Sequence, residues 1–345
     1  MKIEVYSPTI RRKEMESVLT TLADDKIGPG EQSKLLIQIA KEQLGFDYCI
    51  ALRSPVIALF LALKTLHIEI GQGVLISALS PRYYLNVIED LGLKAIFVDV
   101  GTGMACIDRK TLEKAMQSDI SPHAIVAHHT LGYVPDLESI SQLGIPIIED
   151  ISQSYGTSLG EKAESKIGSF GVFTILGLEE KDMITAGGGA LLYSVNKRDS
   201  TVLKNLGEIQ PEYALPDMNA AMAIVQFRET NKNLEKRKEI AKVYVQASLR
   251  TRHKRFIQKE EIEYNNYAFP LILETGMKDV KNYAKRKEIE VESAFENSLV
   301  GNGIVTQETC PESYSLSLRT VLFPLYPRLG SKDTEKVAKL ITTLP

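Results

Sequence analysis

Short apolar runs alternate with longer amphipathic stretches between residues 70 and 200, and this alternation restricts the possible folds of the 345-residue chain. The runs are rich in Val, Ile and Phe, as buried parallel strands require. The predicted strands are residues 73–77, 94–100, 123–128, 145–150, 170–175 and 190–194. The predicted helices between them include residues 84–91, 108–116 and 136–143. This repetition predicts an α/β domain with a mostly parallel sheet.

The sequence changes character near residue 219, where a long, charged stretch with helical spacing extends to residue 249. A strand is predicted beyond it, at residues 264–273. Two further helices are predicted at 278–287 and 333–341. We therefore predict a large domain over residues 1–229 and a smaller C-terminal domain over residues 230–345, joined by the long helix.

Polar residues follow several of the predicted strands directly, and these positions are where open α/β sheets bind ligands. His129, Asp150 and Gln153 are the candidates that this rule selects. An Asp at the end of a strand is also a common turn or helix-capping residue, and a His beside such a turn is often structural. Position alone therefore leaves both interpretations open.

Charge and cysteine content argue against several classes of partner. The formal net charge is -3, so no basic surface for nucleic acid or an anionic membrane is expected. The longest apolar run, residues 55–63, is too short to span a bilayer, and the N-terminus lacks the apolar core of a signal peptide. The three cysteines form no C-x-x-C pair, so we predict no metal site and a reducing, cytoplasmic location.

One segment has a motif of much higher specificity than these patterns. Residues 147–154 read Ile-Ile-Glu-Asp-Ile-Ser-Gln-Ser and are followed by Gly-Thr-Ser at 156–158. Further on are Gly-Ser-Phe-Gly-Val-Phe at 168–173, Lys181, and Thr-Ala-Gly-Gly-Gly at 185–189. This series resembles the DegT/StrS family of aminotransferases, which depend on pyridoxal 5'-phosphate (PLP) and mostly act on keto sugars attached to nucleotides.

Other segments extend the resemblance along nearly the whole chain. They are Ile-Gly-Pro-Gly at 27–30, Val-Asp-Val at 98–100, His129 with Gly132, Ala-Ala at 220–221, and Phe-Pro-Leu-Tyr-Pro at 323–327. The resemblance implies the fold-type I aminotransferase architecture, with a large mixed or parallel-sheet domain and a small α+β C-terminal domain. It also implies a homodimer with sites at the interface, PLP as cofactor, a nucleotide-linked keto sugar as substrate, and an amino donor such as glutamate.

The resemblance also assigns roles to single residues. Lys181 corresponds to the catalytic lysine that forms a Schiff base with the cofactor, because Gly189 follows at the family spacing. Asp150 corresponds to the carboxylate that keeps the pyridine nitrogen protonated, and Gln153 to a Gln near the ring. Thr174 and Ser54 correspond to phosphate-binding hydroxyls, and His129 to a His that the family keeps at this place.

Several of the same positions depart from the family pattern. Pro55 and Val56 follow Ser54 where the family has Gly-Thr, so one backbone donor and one hydroxyl are lost. Pro81 stands near the position of the ring-stacking aromatic residue. Thr174 precedes Lys181 by seven residues, and Glu179 stands at the family spacing from this hydroxyl.

The partner-facing Asn-Tyr-Arg of the family reads Glu-Tyr-Ala at residues 212–214, and a carboxylate there would repel a phosphate. Three hypotheses remain open. The chain is an active aminotransferase, or an inactive member that binds a ligand or another protein through a degraded cofactor site. The third hypothesis is a pyridoxamine-phosphate dehydratase, which the absence of a His between Thr174 and Gly189 disfavours.

Overall fold

A seven-stranded mixed sheet forms the centre of the protein in the computed structural model, which describes residues 2–160 and 166–345. Its strands lie in the order β1-β7-β6-β5-β4-β2-β3. The strands are β1 (Tyr48–Leu52), β2 (Gly73–Ser77), β3 (Lys94–Val98), β4 (Pro122–His128), β5 (Ile147–Asp150), β6 (Phe173–Gly177) and β7 (Ala190–Ser194). The five strands from β6 to β3 are parallel; β7 pairs antiparallel with β6, and the edge strand β1 pairs antiparallel with β7. The predicted α/β class with a mostly parallel sheet is confirmed.

Helices cover both faces of this sheet, because the strands are apolar on both sides. One face packs on α3 (Pro55–Thr65) and α4 (Tyr83–Asp90). The other face packs on α2 (Glu31–Leu44), α5 (Arg109–Ala115), α6 (Leu137–Ser141) and the first half of α8 (Asp217–Ser248). Two further helices belong to this part of the chain, α1 (Arg12–Ala23) against α8, and α7 (Lys197–Lys204) beside β1 and β7.

A second, smaller sheet forms in the C-terminal part, in the order β8-β10-β9, and all of its pairs are antiparallel. Its strands are β8 (Phe269–Ile272), β9 (Glu292–Ser293) and β10 (Thr320–Phe323). The helices here are α9 (Met277–Arg286), α10 (Pro311–Arg319) and α11 (Ser331–Thr342). The apolar side chains of α9, α11, the small sheet and the second half of α8 share a separate core, which also takes in Ile3 from the N-terminus. Leu316 of α10 packs instead in the core of the large sheet.

The predicted boundary between residues 229 and 230 falls inside α8, so this helix belongs to both cores. The division into 1–229 and 230–345 stays a prediction. The two parts contact each other near the carboxyl ends of the parallel strands. Leu299 N donates to Ser80 O and Val300 N donates to Ala78 O, which places residues 292–298 over this end of the sheet.

Three predicted strands begin later in the structure than in the sequence pattern. The strand predicted at 145–150 begins at Ile147. The strand predicted at 170–175 begins at Phe173, because the Glu149 carboxylate binds the backbone N–H groups of Gly168, Phe170 and Gly171 and holds this segment in a turn. The strand predicted at 264–273 begins at Phe269, after Asn266 adopts a φ of 53°. In the described part of the chain, no helix is long and apolar enough to cross a membrane.

Candidate active site

Asp150 ends β5 and is the most extensively hydrogen-bonded of the predicted site residues. Its Oδ1 accepts from Ser152 N at 3.0 Å and from Ser152 Oγ at 2.5 Å. Its Oδ2 accepts from Tyr84 Oη at 2.5 Å and from Tyr83 Oη at 3.3 Å. A carboxylate has about four lone-pair sites, so four donors satisfy it completely. The residue is only 2% exposed, and these bonds replace the water that burial removes.

The two tyrosines that bind Asp150 lie in the first turn of α4. Their rings meet edge to face, with centroids 4.8 Å apart and an interplanar angle of 78°. The Tyr84 ring also meets His128 edge to face at 5.8 Å and has no exposed surface. Burial and the neighbouring Asp150 raise the pKa of both phenols well above the ordinary value. Both hydroxyls therefore remain protonated donors at neutral pH.

Glu149 precedes Asp150 and projects from the opposite side of β5, because side chains alternate along a strand. Its carboxylate accepts from Gly168 N at 2.8 Å, Phe170 N at 3.0 Å and Gly171 N at 3.4 Å. Burial raises the pKa of Glu149 to about 7. This residue holds the turn before β6 and has no contact with the side of the sheet on which Asp150 acts.

His129, a predicted cofactor residue, belongs to the Glu149 side. Its Nδ1 lies 2.6 Å from Ser154 Oγ, and its Nε2 lies 3.5 Å from Glu149 Oε1. Burial, with a smaller effect of His128, lowers the pKa of His129 to about 3. The ring is neutral, so its contact with Glu149 is not an ion pair. His129 N donates to Asp150 O at 3.1 Å, but the His129 ring is not brought to the Asp150 carboxylate.

Thr174 also lies on the Glu149 side, because it pairs with Glu149 in the register of β5 and β6. Its hydroxyl donates to Gly168 O at 3.0 Å, and the side chain is 1% exposed. Ser54 is the N-cap of α3, where its Oγ accepts from Ile57 N at 3.3 Å and its carbonyl accepts from Ala58 N. Both predicted phosphate-binding hydroxyls are therefore hydrogen-bonded to the backbone, one beside Gly168 and the other at the start of α3.

Gln153 does lie in the cleft at the end of the sheet. Its Oε1 accepts from Leu131 N at 2.6 Å and so fixes the turn after β4, where Leu131 has a φ of 56°. The cleft has a volume of about 220 Å³. It is lined by Leu79, Pro81, His128, Thr130, Leu131, Gln153, Lys181, Asp182, Tyr267, residues 292–298 and Leu322.

Lys181 lines the same cleft from the loop between β6 and β7. Its Nζ lies 3.6 Å from Glu292 Oε2 and 5.9 Å from the centre of the Tyr6 ring, and its side chain is 56% exposed. Asp182, the next residue, accepts from Glu179 N at 2.8 Å. Burial raises the pKa of Asp182 to about 8, and Asp150 adds to the effect. The only lysine among the described residues of the cleft thus pairs with the C-terminal part of the chain.

Sequence reasoning missed some residues that the structure brings to this place. His128 pairs with Asp150 in the register of β4 and β5, so His128 rather than His129 shares its side of the sheet. The alternation of side chains along β4 was a signal that could have found it. Ser152 and Asp182 gave no such signal, because their roles depend on loop geometry.

The sequence model of the DegT/DnrJ/EryC1/StrS aminotransferase family matches residues 8–342. The chain belongs to this family. The resemblance deduced from the motifs is therefore confirmed. Membership of this aminotransferase family implies PLP as the cofactor.

Solved structures of other aminotransferases confirm the fold of this family member. TlmJ from Streptoalloteichus hindustanus superposes with a TM-score of 0.88 at 18% identity, covering 99% of this chain and 98% of TlmJ. The sugar aminotransferase CalS13 from Micromonospora echinospora gives 0.84 at 16% identity, covering 99% of each chain. The PLP-form of Spr1654 from Streptococcus pneumoniae gives 0.89 at 18% identity, covering 99% of this chain and 98% of Spr1654. The predicted fold-type I aminotransferase architecture is confirmed.

The residues of this family member do not fit PLP in the way that the family pattern requires. A pyridinium nitrogen needs an unused acceptor on Asp150, and four donors already satisfy that carboxylate. A phosphate at the start of α3 would meet Pro55, which has no N–H, and Ile57 N, which already binds Ser54. The residues therefore fail to fit both the pyridine ring and the phosphate of PLP, each for a separate reason.

Proposed function

We propose that this chain is a member of the sugar-aminotransferase family that binds a ligand in its cleft without using PLP. The observation that supports the proposal is the complete hydrogen bonding of Asp150 by Tyr83, Tyr84 and Ser152. A cofactor that used this carboxylate would have to displace at least one buried phenol. The displaced hydroxyl would then lose its charged acceptor, which costs about 1.5–3 kcal/mol.

The environment of Lys181 supports the same proposal. An amine that forms a covalent bond with an aldehyde must be available in its neutral form. Such lysines are usually desolvated or placed beside another cation, whereas Lys181 is more than half exposed and faces the Glu292 carboxylate. The Lys181 amine is thus engaged in an exposed ion pair instead of lying in a desolvated pocket.

A second candidate is the aminotransferase reaction itself, with Lys181 as the catalytic residue. It is favoured by one observation, which is that Lys181 and Gln153 line the same cleft. In this candidate the substrate is a nucleotide-linked keto sugar, and glutamate is the amino donor. Both candidates carry over from the family a homodimer in the cytoplasm, and sedimentation velocity measures the dimer directly.

Adding PLP to the purified protein separates the two candidates. We expect no absorbance band of a lysine-linked cofactor and no borohydride-stable adduct on Lys181 by peptide mass spectrometry. Lys181→Ala and Lys204→Ala are the matched variants, because Lys204 is a half-exposed lysine that pairs with Asp47 away from the cleft. A stoichiometric band that disappears in Lys181→Ala and persists in Lys204→Ala would refute the first candidate and establish the second.

A further inference from the structure

We propose that residues 2–11 act as a strap that holds the cleft loop, residues 178–189 between β6 and β7, in its observed position. The strap is fixed at both ends and contacts the loop in its middle, through Tyr6. Every contact concerned joins residues of a single chain, so none of them needs a partner subunit. The inference goes beyond the proposed function and applies whether or not the cleft uses PLP.

The first end of the strap is joined to the C-terminal part of the chain. Ile3 N donates to Glu288 O at 2.9 Å, and Glu290 N donates to Ile3 O at 2.8 Å, so residue 3 pairs as in a parallel sheet. The Ile3 side chain is 5% exposed and packs in the C-terminal core. Val5 N adds a bond to Glu290 Oε2 at 3.3 Å. Backbone pairing and apolar burial together fix this end.

The other end of the strap is joined to α8. Gln226 Nε2 donates to Thr9 O at 2.8 Å, and Arg11 Nη1 donates to Asn233 Oδ1 at 3.0 Å. Gln226 and Asn233 are both buried, so water competes little for these bonds. Gln226 lies in the half of α8 that packs beneath the large sheet, and the strap therefore connects the two parts of the chain.

Tyr6 lies between the two ends and contacts the cleft loop. Its Oη lies 3.3 Å from Thr185 Oγ1. The Thr185 hydroxyl donates to Glu180 O at 3.1 Å and to Asp182 O at 3.2 Å, so its single proton is already shared. The Tyr6 hydroxyl is therefore the donor to Thr185. The Tyr6 ring also faces Lys181, whose Nζ lies 5.9 Å from the ring centre. Tyr6 thus contacts both the residue that closes the loop on itself and the lysine that lines the cleft.

The cleft loop depends on such contacts because its own backbone is permissive. The three glycines at 187–189 have φ values of 69°, 139° and 128°, and ordering consecutive glycines costs much conformational entropy. The ion pair between Lys181 and Glu292 crosses the same junction, but both side chains are substantially exposed, so the pair stabilises the loop little. Loss of the Tyr6 contact should therefore loosen the loop while the sheets stay intact.

Hydrogen exchange of the full chain, followed by mass spectrometry, measures the loop directly. The amides of Met183 and Ala186 are hydrogen-bonded and report on its opening. We expect Tyr6→Ala to speed exchange in residues 178–189 by about five- to thirtyfold. Tyr6→Phe keeps the ring over Lys181 and removes only the donor, so the acceleration should be smaller.

Tyr283→Ala is the matched control, because Tyr283 has the same two kinds of contact within α9. Its hydroxyl donates to Thr343 Oγ1 at 3.0 Å, and Lys287 Nζ lies 5.8 Å from its ring centre. Loop exchange at the wild-type rate in Tyr6→Ala, or the same acceleration of the loop in Tyr283→Ala, would overturn the inference.

Ile3→Ala tests whether the distant end of the strap acts on the loop. We expect faster exchange both in residues 288–290 and in residues 178–189, with β2 and β4 unchanged. Ile70→Ala is the control, because Ile70 is 85% exposed. Acceleration confined to residues 288–290 would contradict the strap, since it would reduce the segment to a local strand pairing. Uniform acceleration that includes β2 and β4 would contradict it as well, because it reports a loss of global stability.

Discussion

Replacing Tyr84 with Phe tests whether the phenol serves as a required donor to a buried carboxylate. The substitution keeps the ring, which has no exposed surface, and removes only the hydroxyl that lies 2.5 Å from Asp150 Oδ2. A hydrogen bond to a charged group contributes about 1.5–3 kcal/mol, and leaving the charged partner unsatisfied adds to the loss. We expect the free energy of unfolding to fall by about 2–3 kcal/mol. Tyr83→Phe should cost about 1 kcal/mol or less, because its hydroxyl is 3.3 Å away and the ring is partly exposed.

Urea unfolding followed by circular dichroism measures both values, provided that the slope with denaturant stays unchanged. Tyr244→Phe is the matched control, since Tyr244 is also fully buried but donates to a neutral acceptor, Pro324 O, at 2.9 Å. Its loss should cost about 0.5–1.5 kcal/mol. A cost for Tyr84→Phe no greater than that of Tyr244→Phe would refute the reasoning that the Asp150 carboxylate depends on its phenol donors.

Three other substitutions give separate tests. Asp150→Asn should lower the free energy of unfolding by about 3 kcal/mol in the same assay, because the new NH₂ group would face hydrogen-bond donors instead of accepting from them. An unchanged free energy of unfolding would contradict the four-donor arrangement. Stability should fall as pH rises from about 4.5 to 7, since Glu149 binds a proton more strongly in the folded state than in the unfolded state. Glu149→Gln should reduce that slope in urea titrations at several pH values, and an unchanged slope would assign it to other groups. Gly168→Ala should lower the free energy of unfolding by about 2–4 kcal/mol, as measured by thermal unfolding. Gly168 has a φ of 82°, and an added Cβ would collide with the Tyr193 hydroxyl. A variant as stable as the wild type would show that the turn can shift.

The strands were predictable where burial alone decides the structure. β2 and β7 are continuous apolar runs, and their bounds agree with the prediction to the residue. The strand predicted to begin at residue 170 failed because Glu149, far away in sequence, binds the backbone N–H groups that would otherwise extend β6. A local sequence pattern does not show that a residue elsewhere in the chain competes for these hydrogen bonds.

The candidate site was predictable in position but not in its contacts. The motif placed Asp150 correctly at the end of a buried strand, and Gln153 and Lys181 both reach the cleft. The partners of Asp150 could not be read from the sequence, because Tyr84 lies 66 residues away and donates from another helix. His128 lies beside Asp150 and the predicted His129 ring does not, because the two side chains face opposite sides of the sheet. A sequence motif does not show which side a residue faces.

The long helix α8 has a mechanical consequence for the cleft. It runs for 32 residues, or about 48 Å at 1.5 Å per residue, and contains neither Gly nor Pro. Phe227 in the first half of α8 packs in the core beneath the large sheet, and Tyr244 in the second half packs in the C-terminal core. The two parts of the chain that form the walls of the cleft are therefore connected by one continuous helix. Widening the cleft requires bending α8 or disrupting one of the two cores. The separation of the two walls is then fixed by the scaffold, and a glycine placed in α8 between Phe227 and Tyr244 should loosen it.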